Sequence, residues 1–176
     1  MKKLLGILLF IVSLTLLVGL ATYHSSSRSQ RLSDLSISCS EKPSTSFSSV
    51  RAHGVILKNR AVLTVRLEGE KNFSPPGGHL KVNESPEQAL QRELGEELSI
   101  QTGVKDYKTY TTYCEVLGAT QTQRTHVFFV EDWSENLQVG NKDQLKWVQY
   151  EYRLDPDADT ELVKLLDFLH KDNLID

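Results

Sequence analysis

The stretch PPGGHLKVNESPEQALQRELGEELSI, residues 75–100, joins a glycine pair to a strong helix signal. Ser85 is a favoured N-cap residue, and Pro86 occupies the first helical position, where its missing amide hydrogen costs no hydrogen bond. Leucines then recur at positions 90, 94 and 98, which is the spacing of one helix face. The sequence therefore predicts a helix that begins at Pro86 and buries an apolar row.

Three carboxylates stand beside this apolar row. Glu93, Glu96 and Glu97 are spaced i, i+3 and i+4, so they crowd one sector of the helix, where like charges repel. Arg92 relieves only part of this repulsion, through an i,i+4 pair with Glu96. A divalent cation bound through oxygen ligands would resolve the conflict, whereas the simpler alternative is a solvated acidic helix face.

The spacing of these polar and glycine residues resembles the Nudix box, Gly-x5-Glu-x7-Arg-Glu-U-x-Glu-Glu-x-Gly-U, in which U is aliphatic. The fixed positions that match are Gly78, Glu84, Arg92, Glu93, Glu96 and Glu97, with Leu94 and Ile100 at the aliphatic positions. Ser99 stands where the family has glycine. A glycine just past a helix end usually provides a left-handed C-cap, so serine there is expected to cost roughly 1 kcal/mol of stability without removing a ligand oxygen.

The resemblance implies a Nudix pyrophosphohydrolase. Such an enzyme would use Mg²⁺ or Mn²⁺ to cleave the diphosphate bond of a nucleoside diphosphate linked to another moiety. The expected metal ligands are the carboxylates of Glu93, Glu96 and Glu97 and the main-chain carbonyl of Gly77. Among these glutamates, Glu93 is the first choice for the general base.

The resemblance also assigns supporting roles. Arg92 is the fourth expected catalytic residue, and it should orient Glu93 and Glu96 by charge-assisted hydrogen bonds. Glu84 should anchor the site from the loop or bind metal through water. Many relatives add an acidic ligand from the loop before a late strand that carries a tryptophan, here Trp147. Asp143 is the nearest candidate, and a solvated loop residue is the simpler interpretation.

The sequence does not identify the substrate. Some Nudix subfamilies carry a proline or a tyrosine some way past the box, associated with ADP-ribose or dinucleoside polyphosphates respectively. Neither residue occurs at positions 115–118, which argues weakly against those classes. The alternative function is a non-catalytic Nudix-fold nucleotide-binding or sensor domain tethered at a membrane. His79, beside the glycine pair, is interpreted as a surface histidine rather than a phosphate contact.

The composition limits the classes of partner that the protein is expected to bind. The 176-residue chain has 20 basic and 23 acidic residues, a formal net charge of −3, so a surface for nucleic acid polymers is not indicated. The expected partner is a small nucleotide derivative, and the oligomeric state is left open. The two cysteines, Cys39 and Cys114, make no recognisable disulfide framework or metal-binding spacing, so they do not reveal the redox compartment.

Three parts are expected along the chain. Residues 1–23 contain an uncharged apolar run long enough to cross a bilayer, which predicts a single-pass membrane anchor. The alternative is a cleaved signal peptide, with a secreted or periplasmic product. Residues 24–46 are serine-rich and lack hydrophobic periodicity, which predicts a disordered linker. The Nudix domain would then occupy residues 47–176, and we favour a location outside the cytoplasm.

The order of elements predicts the fold class. The pattern favours strands at 50–57, 61–67, 107–117, 125–130 and 145–150, a helix from 86, and a second helix at 160–170. This order predicts an α/β fold, specifically a Nudix-like α/β/α sandwich with a mixed β-sheet. An N-terminal hydrophobic helix and the disordered linker would precede it.

Overall fold

The computed structural model describes Cys39 and residues 47–117, 121–133, 136–140 and 143–176. The predicted N-terminal helix and, apart from Cys39, the predicted linker lie outside these residues. Within the described ranges, no helix is long and apolar enough to cross a membrane. Every element named below belongs to the unit that spans residues 43–176.

The described residues of this unit form seven strands and two α-helices. The strands are β1 (Ser49–Val55), β2 (Leu57–Lys58), β3 (Ala61–Arg66), β4 (Gly77–His79), β5 (Tyr107–Leu117), β6 (Gln121–Val130) and β7 (Gln144–Val148). The helices are α1 (Pro86–Leu98) and α2 (Thr160–Lys171), with short 3₁₀ helices at Val104–Asp106 and Tyr150–Leu154.

The strands form two sheets, of which one is mixed as predicted and the other was not predicted. The mixed sheet has the order β4-β1-β6-β5, with β1 parallel to β6 and the other neighbours antiparallel. A second, antiparallel sheet has the order β2-β3-β7. The run predicted as one strand divides because the ladder of β1 ends at Val55 and β2 begins at Leu57 in the other sheet. Strand pairing of this kind joins residues that are distant in sequence, so local patterns do not specify it.

Strand β4 was not predicted as a strand. Two of its three residues are glycines, which are depleted in strands and indicated a flexible backbone. The element forms because β1 provides an antiparallel partner, with Arg51 opposite His79 and Ala52 opposite Gly78. A tertiary contact therefore overrides the local propensity.

Each helix covers one face of the sheets. Alternate residues of a strand point to opposite faces, and the fully buried neighbours Val62 and Leu63 of β3 accordingly enter different cores. Val62 packs in the core that includes the apolar residues of α2, and Leu63 packs in the core that includes those of α1. The sheets thus form the middle layer of an α/β/α sandwich.

Helix α1 begins as predicted. Ser85 is its N-cap, and Pro86 is its first residue. The Gln88 backbone N–H donates to Ser85 Oγ over 3.2 Å, and the Ser85 N–H donates to Gln88 Oε1 over 2.8 Å, which makes a capping box. The helix ends at Leu98, and Ser99 takes the left-handed conformation with φ 55° and ψ 25°. Serine therefore fills the C-cap that glycine usually provides.

Helix α2 covers the opposite face of the middle layer. It was predicted at residues 160–170 and spans Thr160–Lys171. Asp159 is its N-cap, and Asp159 Oδ1 accepts a hydrogen bond from the Leu162 N–H over 2.6 Å. This bond satisfies one of the free backbone donors in the first turn of the helix.

Both cysteines, Cys39 and Cys114, are disulfide-bonded, although the sequence shows no recognisable disulfide framework. The part of the chain that the structure describes contains no free thiol. Two cysteines far apart in sequence carry no spacing signal, because disulfide formation depends on the distance between Cα atoms in the folded chain.

Candidate functional site

The glycine pair brings the edge strand β4 against the carboxylates of α1. The Gly77 N–H donates to Glu97 Oε2 over 2.9 Å. Gly77 has φ +129°, and a Cβ added there would lie 2.2 Å from the backbone oxygen of Ala52. A Cβ added at Gly78 would lie 2.5 Å from Glu93 Oε1. The missing side chains therefore allow both close approaches.

The carboxylate of Glu97 is buried, with only 7% of the residue exposed. Burial raises the pKa of Glu97 to about 8, which the hydrogen bond from Gly77 partly opposes. The neighbouring charges of Glu93 and Glu96 raise this pKa further, and Arg51 lowers it. Glu97 is thus a buried acid that lacks sufficient positive charge nearby.

Arg92 links the helix to the preceding loop. Its Nε and Nη2 donate to the two carboxylate oxygens of Glu84 over 2.9 and 3.0 Å, a bidentate contact that lowers the pKa of Glu84. Its Nη1 lies 2.7 Å from Glu93 Oε1 and 3.5 Å from Glu96 Oε2. Arg92 Nη2 also donates to the backbone oxygen of His79 over 3.0 Å. Arg92 therefore fixes Glu93, Glu84 and the strand end together.

The three glutamates have different surroundings. Glu97 faces Gly77, Glu93 contacts Arg92, and the Glu96 side chain is 58% exposed. Lys81 Nζ lies 3.9 Å from Glu96 Oε1. In the described ranges, no group of three or more His, Cys, Asp or Glu side chains is arranged to hold a metal ion. The structure brings Glu93 and Glu97 to the glycine pair and leaves Glu96 at its solvent edge.

The donor set fits a divalent cation. Carboxylate oxygens are the ligands that Mg²⁺ prefers in proteins. The pKa of Glu97 is raised because burial disfavours its charged form. The negative charges of Glu93 and Glu96 raise this pKa further. A cation beside these oxygens would stabilise the charged form and relieve the repulsion.

Asp143 and the tryptophans have other contacts. Asp143 accepts hydrogen bonds from the backbone N–H of Glu68 over 2.7 Å and from that of Gly140 over 3.1 Å. Both carboxylate oxygens of Asp143 thus accept backbone hydrogen bonds. Its role as a metal ligand stays a prediction. Trp133 and Trp147 pack with ring centroids 5.8 Å apart.

Sequence reasoning missed Arg51, on β1. Its charge acts on Glu97, and its Nη1 lies 2.8 Å from Glu161 Oε1 at the first turn of α2. A charged residue inside a predicted strand was the available signal. His79, interpreted as a surface histidine, is exposed, and its Nδ1 lies 3.1 Å from Ser49 Oγ.

Replacing Glu97 by glutamine is expected to stabilise the metal-free protein at high pH. Because the folded-state pKa of Glu97 is raised, the folded chain binds more protons than the unfolded chain between pH 4.5 and about 8, so the parent loses stability as pH rises through this window. Glutamine keeps an acceptor for Gly77 and removes the charge. Urea unfolding in chelator should show Glu97→Gln more stable by a few kcal/mol at about pH 8.5 and equal to the parent below about pH 4.5. Parallel pH profiles of the two proteins would contradict this account.

Comparisons with known proteins identify the family and the fold. The family model described as NUDIX domain matches residues 48–167. No protein of curated function matches the chain. Several solved structures share its fold at low sequence identity.

Three of these structures show the extent of the likeness. The E. coli ORF135 protein is 21% identical with a TM-score of 0.57, and the match covers 74% of this chain and 94% of that one. A MutT Nudix hydrolase from Burkholderia pseudomallei is 19% identical with a TM-score of 0.55, covering 68% and 95% respectively. An Ap4A hydrolase from C. elegans is 20% identical with a TM-score of 0.52, covering 71% and 97%. The TM-scores show a shared fold, and the family match over most of the chain shows that it belongs to the Nudix family.

Proposed function

We propose that this chain is a Mg²⁺- or Mn²⁺-dependent pyrophosphohydrolase that cleaves the diphosphate bond of a nucleoside diphosphate linked to another moiety. Membership of the Nudix family supports hydrolysis of pyrophosphate bonds in general. The observation that carries the proposal is the buried Glu97 carboxylate, whose pKa rises to about 8 beside Glu93 and Glu96. Such a group is poised to accept a cation in place of a proton.

The proposed ligands are the carboxylates of Glu93, Glu96 and Glu97 and the carbonyl of Gly77. When bound there, the metal would neutralise phosphate charge and lower the pKa of a bound water. The glycine pair allows the backbone to approach this position without a side chain in the way. Glu97 is fixed by the Gly77 N–H, so its orientation does not depend on the metal.

Glu93 is the proposed general base. Arg92 contacts Glu93 Oε1, which leaves Oε2 to accept a proton from the attacking water. The water oxygen then bonds to phosphorus as the anhydride P–O bond breaks, and the leaving phosphate carries the electron pair. Glu84 holds Arg92 by two hydrogen bonds and thereby keeps Glu93 in place.

The alternative is a Nudix-fold domain that binds a nucleotide without cleaving it. The exposed Glu96 side chain favours this alternative. The two functions differ in what happens to the bound nucleotide. A binding module retains its ligand and releases no phosphate, whereas an enzyme turns it over.

Phosphate release by the purified full chain distinguishes them. The panel contains nucleoside triphosphates, sugar nucleotides, ADP-ribose and diadenosine tetraphosphate, each with Mg²⁺ or Mn²⁺ and with chelator. We expect metal-dependent turnover that falls by about 10²-fold or more in Glu93→Gln and Glu97→Gln. Glu87→Gln, on the same helix but outside the box positions, is the matched control and should keep the parent rate. Turnover by Glu97→Gln at the parent rate would contradict the proposed site, and tight binding without turnover would favour the binding module.

We also propose that the domain resides in an oxidising compartment. Both cysteines are disulfide-bonded, and disulfides are rare where glutathione and thioredoxin keep thiols reduced. This agrees with the location outside the cytoplasm that the sequence favours. Attachment through the apolar N-terminal segment, or secretion after its cleavage, stays a prediction, because that segment lies outside the described residues.

Thiol labelling in intact cells tests this location. Cells are treated with a permeant maleimide before lysis, and the full chain is then isolated and weighed by mass spectrometry. We expect no added label without reductant and two labels after reduction and unfolding. A chain that carries two labels without any reductant would contradict an oxidising compartment.

A further inference from the structure

An open groove of about 600 Å³ lies at the edge of the mixed sheet, where the edge strand β4 ends. One wall of this groove is the segment at 47–50, which leads into β1. The other wall is the segment at 79–84, which contains the last residue of β4 and the loop that follows it. The function proposed above assigns no ligand to this groove.

Both walls of the groove contribute apolar side chains. Phe47 and Val50 belong to the first wall, and Leu80 and Val82 belong to the loop. Val82 is 91% exposed, and the other three are partly exposed. The Phe47 ring is supported by Arg124, whose Cζ lies 4.2 Å from the ring centroid. Single exposed apolar residues are normal at a protein surface, whereas several that share one groove indicate an interaction site.

The groove adjoins the proposed active site through direct contacts. Two of its residues bind Arg92: Glu84 accepts hydrogen bonds from Arg92 Nε and Nη2, and the His79 backbone oxygen accepts one from Nη2 over 3.0 Å. Arg92 Nη1 in turn lies 2.7 Å from Glu93 Oε1. His79 also directly follows Gly78 of the glycine pair. A substrate held at the glutamates can therefore extend into the groove.

The charges along the groove favour an uncharged occupant. Glu84 is paired with Arg92, and Lys81 Nζ lies 3.9 Å from Glu96 Oε1. A second phosphate or an acidic sugar would need cations that are not already paired. A hydrocarbon chain needs none, and its transfer from water to an apolar surface is favourable.

The sequence connects the groove to the apolar N-terminal run. Phe47 lines the groove and directly follows the predicted linker, residues 24–46. A linker of this length reaches at most about 80 Å when it is fully extended. An anchor within residues 1–23 would therefore hold the groove within that distance of a bilayer. A substrate dissolved in the same bilayer would then be present at a high local concentration.

We propose that the moiety linked to the nucleoside diphosphate is a lipid, and that the groove receives the first part of its hydrocarbon chain. The water oxygen bonds to one phosphorus as the anhydride P–O bond breaks, and the products are a nucleoside monophosphate and a lipid phosphate. The proton of the water passes to Glu93, and the leaving phosphate takes the bonding electron pair. The inference rests on the proposed function and adds a substrate class to it.

The size of the groove agrees with this occupant. A volume of about 600 Å³ lies within the range of small-molecule sites, roughly 300 to 1,000 Å³. The groove is open to solvent, so the rest of a longer chain can remain in the bilayer. Val82 would lose its exposure to water when the chain binds. Because Val82 is 91% exposed in the free protein, its substitution should leave the folded core intact.

The test compares two substrates with the same diphosphate linkage. CDP-dioctanoylglycerol carries two acyl chains, and CDP-glycerol carries none. Each is given with Mg²⁺ to the full chain in neutral detergent, and the release of CMP yields kcat and KM. We expect kcat/KM to be at least about 10-fold higher for the acylated substrate, because burial of several methylene groups contributes to its binding.

The variants are Val82→Ser, Val82→Leu and the matched control Leu154→Ser. Leu154 is a 75% exposed apolar residue that does not line the groove. We expect Val82→Ser to raise the KM for CDP-dioctanoylglycerol by about 10-fold and to leave CDP-glycerol unchanged. Val82→Leu should keep the parent KM, because it keeps an apolar side chain. Leu154→Ser should match the parent with both substrates.

Equal kcat/KM for the two CDP compounds, or an unchanged KM for the acylated one in Val82→Ser, would overturn the inference. Turnover of soluble nucleotides without turnover of CDP-dioctanoylglycerol would reject the lipid class and keep the hydrolase. If no compound is turned over, the hydrolase is rejected and calorimetric binding decides on the groove. Tighter binding of CDP-dioctanoylglycerol than of CDP-glycerol, weakened by Val82→Ser, would keep the lipid contact, and equal binding would reject it.

Discussion

The hydrogen bond from the Gly77 N–H to the buried carboxylate of Glu97 is the contact on which the rest of this site depends. It requires a residue without a side chain, because a Cβ at Gly77 would collide with the backbone of β1. It also requires α1 to present a carboxylate on its buried side. One interaction therefore fixes the edge strand, the helix and a charged group relative to one another.

Burial disfavours the charged form of Glu97, and two arginines lie near the site. Arg92 holds Glu93 and Glu84 on the helix side, and Arg51 acts on Glu97 from β1. The pKa of Glu97 nevertheless stays raised, to about 8. The protein thus leaves part of the negative charge uncompensated, which is the condition under which a divalent cation binds favourably.

Local patterns predicted much of the fold, because helix caps and alternating strands depend on neighbouring residues. Ser85 and Pro86 indicated the start of α1, and the limits of β5 were predicted as observed. The second sheet and strand β4 were missed, since both depend on pairing between distant segments. The disulfide bonding of Cys39 and Cys114 was missed for the same reason.

The sequence likewise identified some residues of the candidate site and missed others. The box spacing identified Glu93, Glu97 and Arg92, whose side chains meet at or near the glycine pair. It could not identify Arg51, because the partner that orients this residue, Glu161, is far along the chain. It also could not show that Glu96 would be exposed, since that depends on how α1 is rotated against the sheet.

In the function proposed above, the carboxylates of α1 hold a divalent ion where Glu97 would otherwise hold a proton. Electron paramagnetic resonance of Mn²⁺ titrated into the full chain measures this most directly, because bound and free Mn²⁺ give different signals. We expect uptake that strengthens between about pH 6 and pH 8 as Glu97 loses its proton. Absence of Mn²⁺ uptake at pH 8, or uptake that is equally strong in Glu97→Gln, would contradict it.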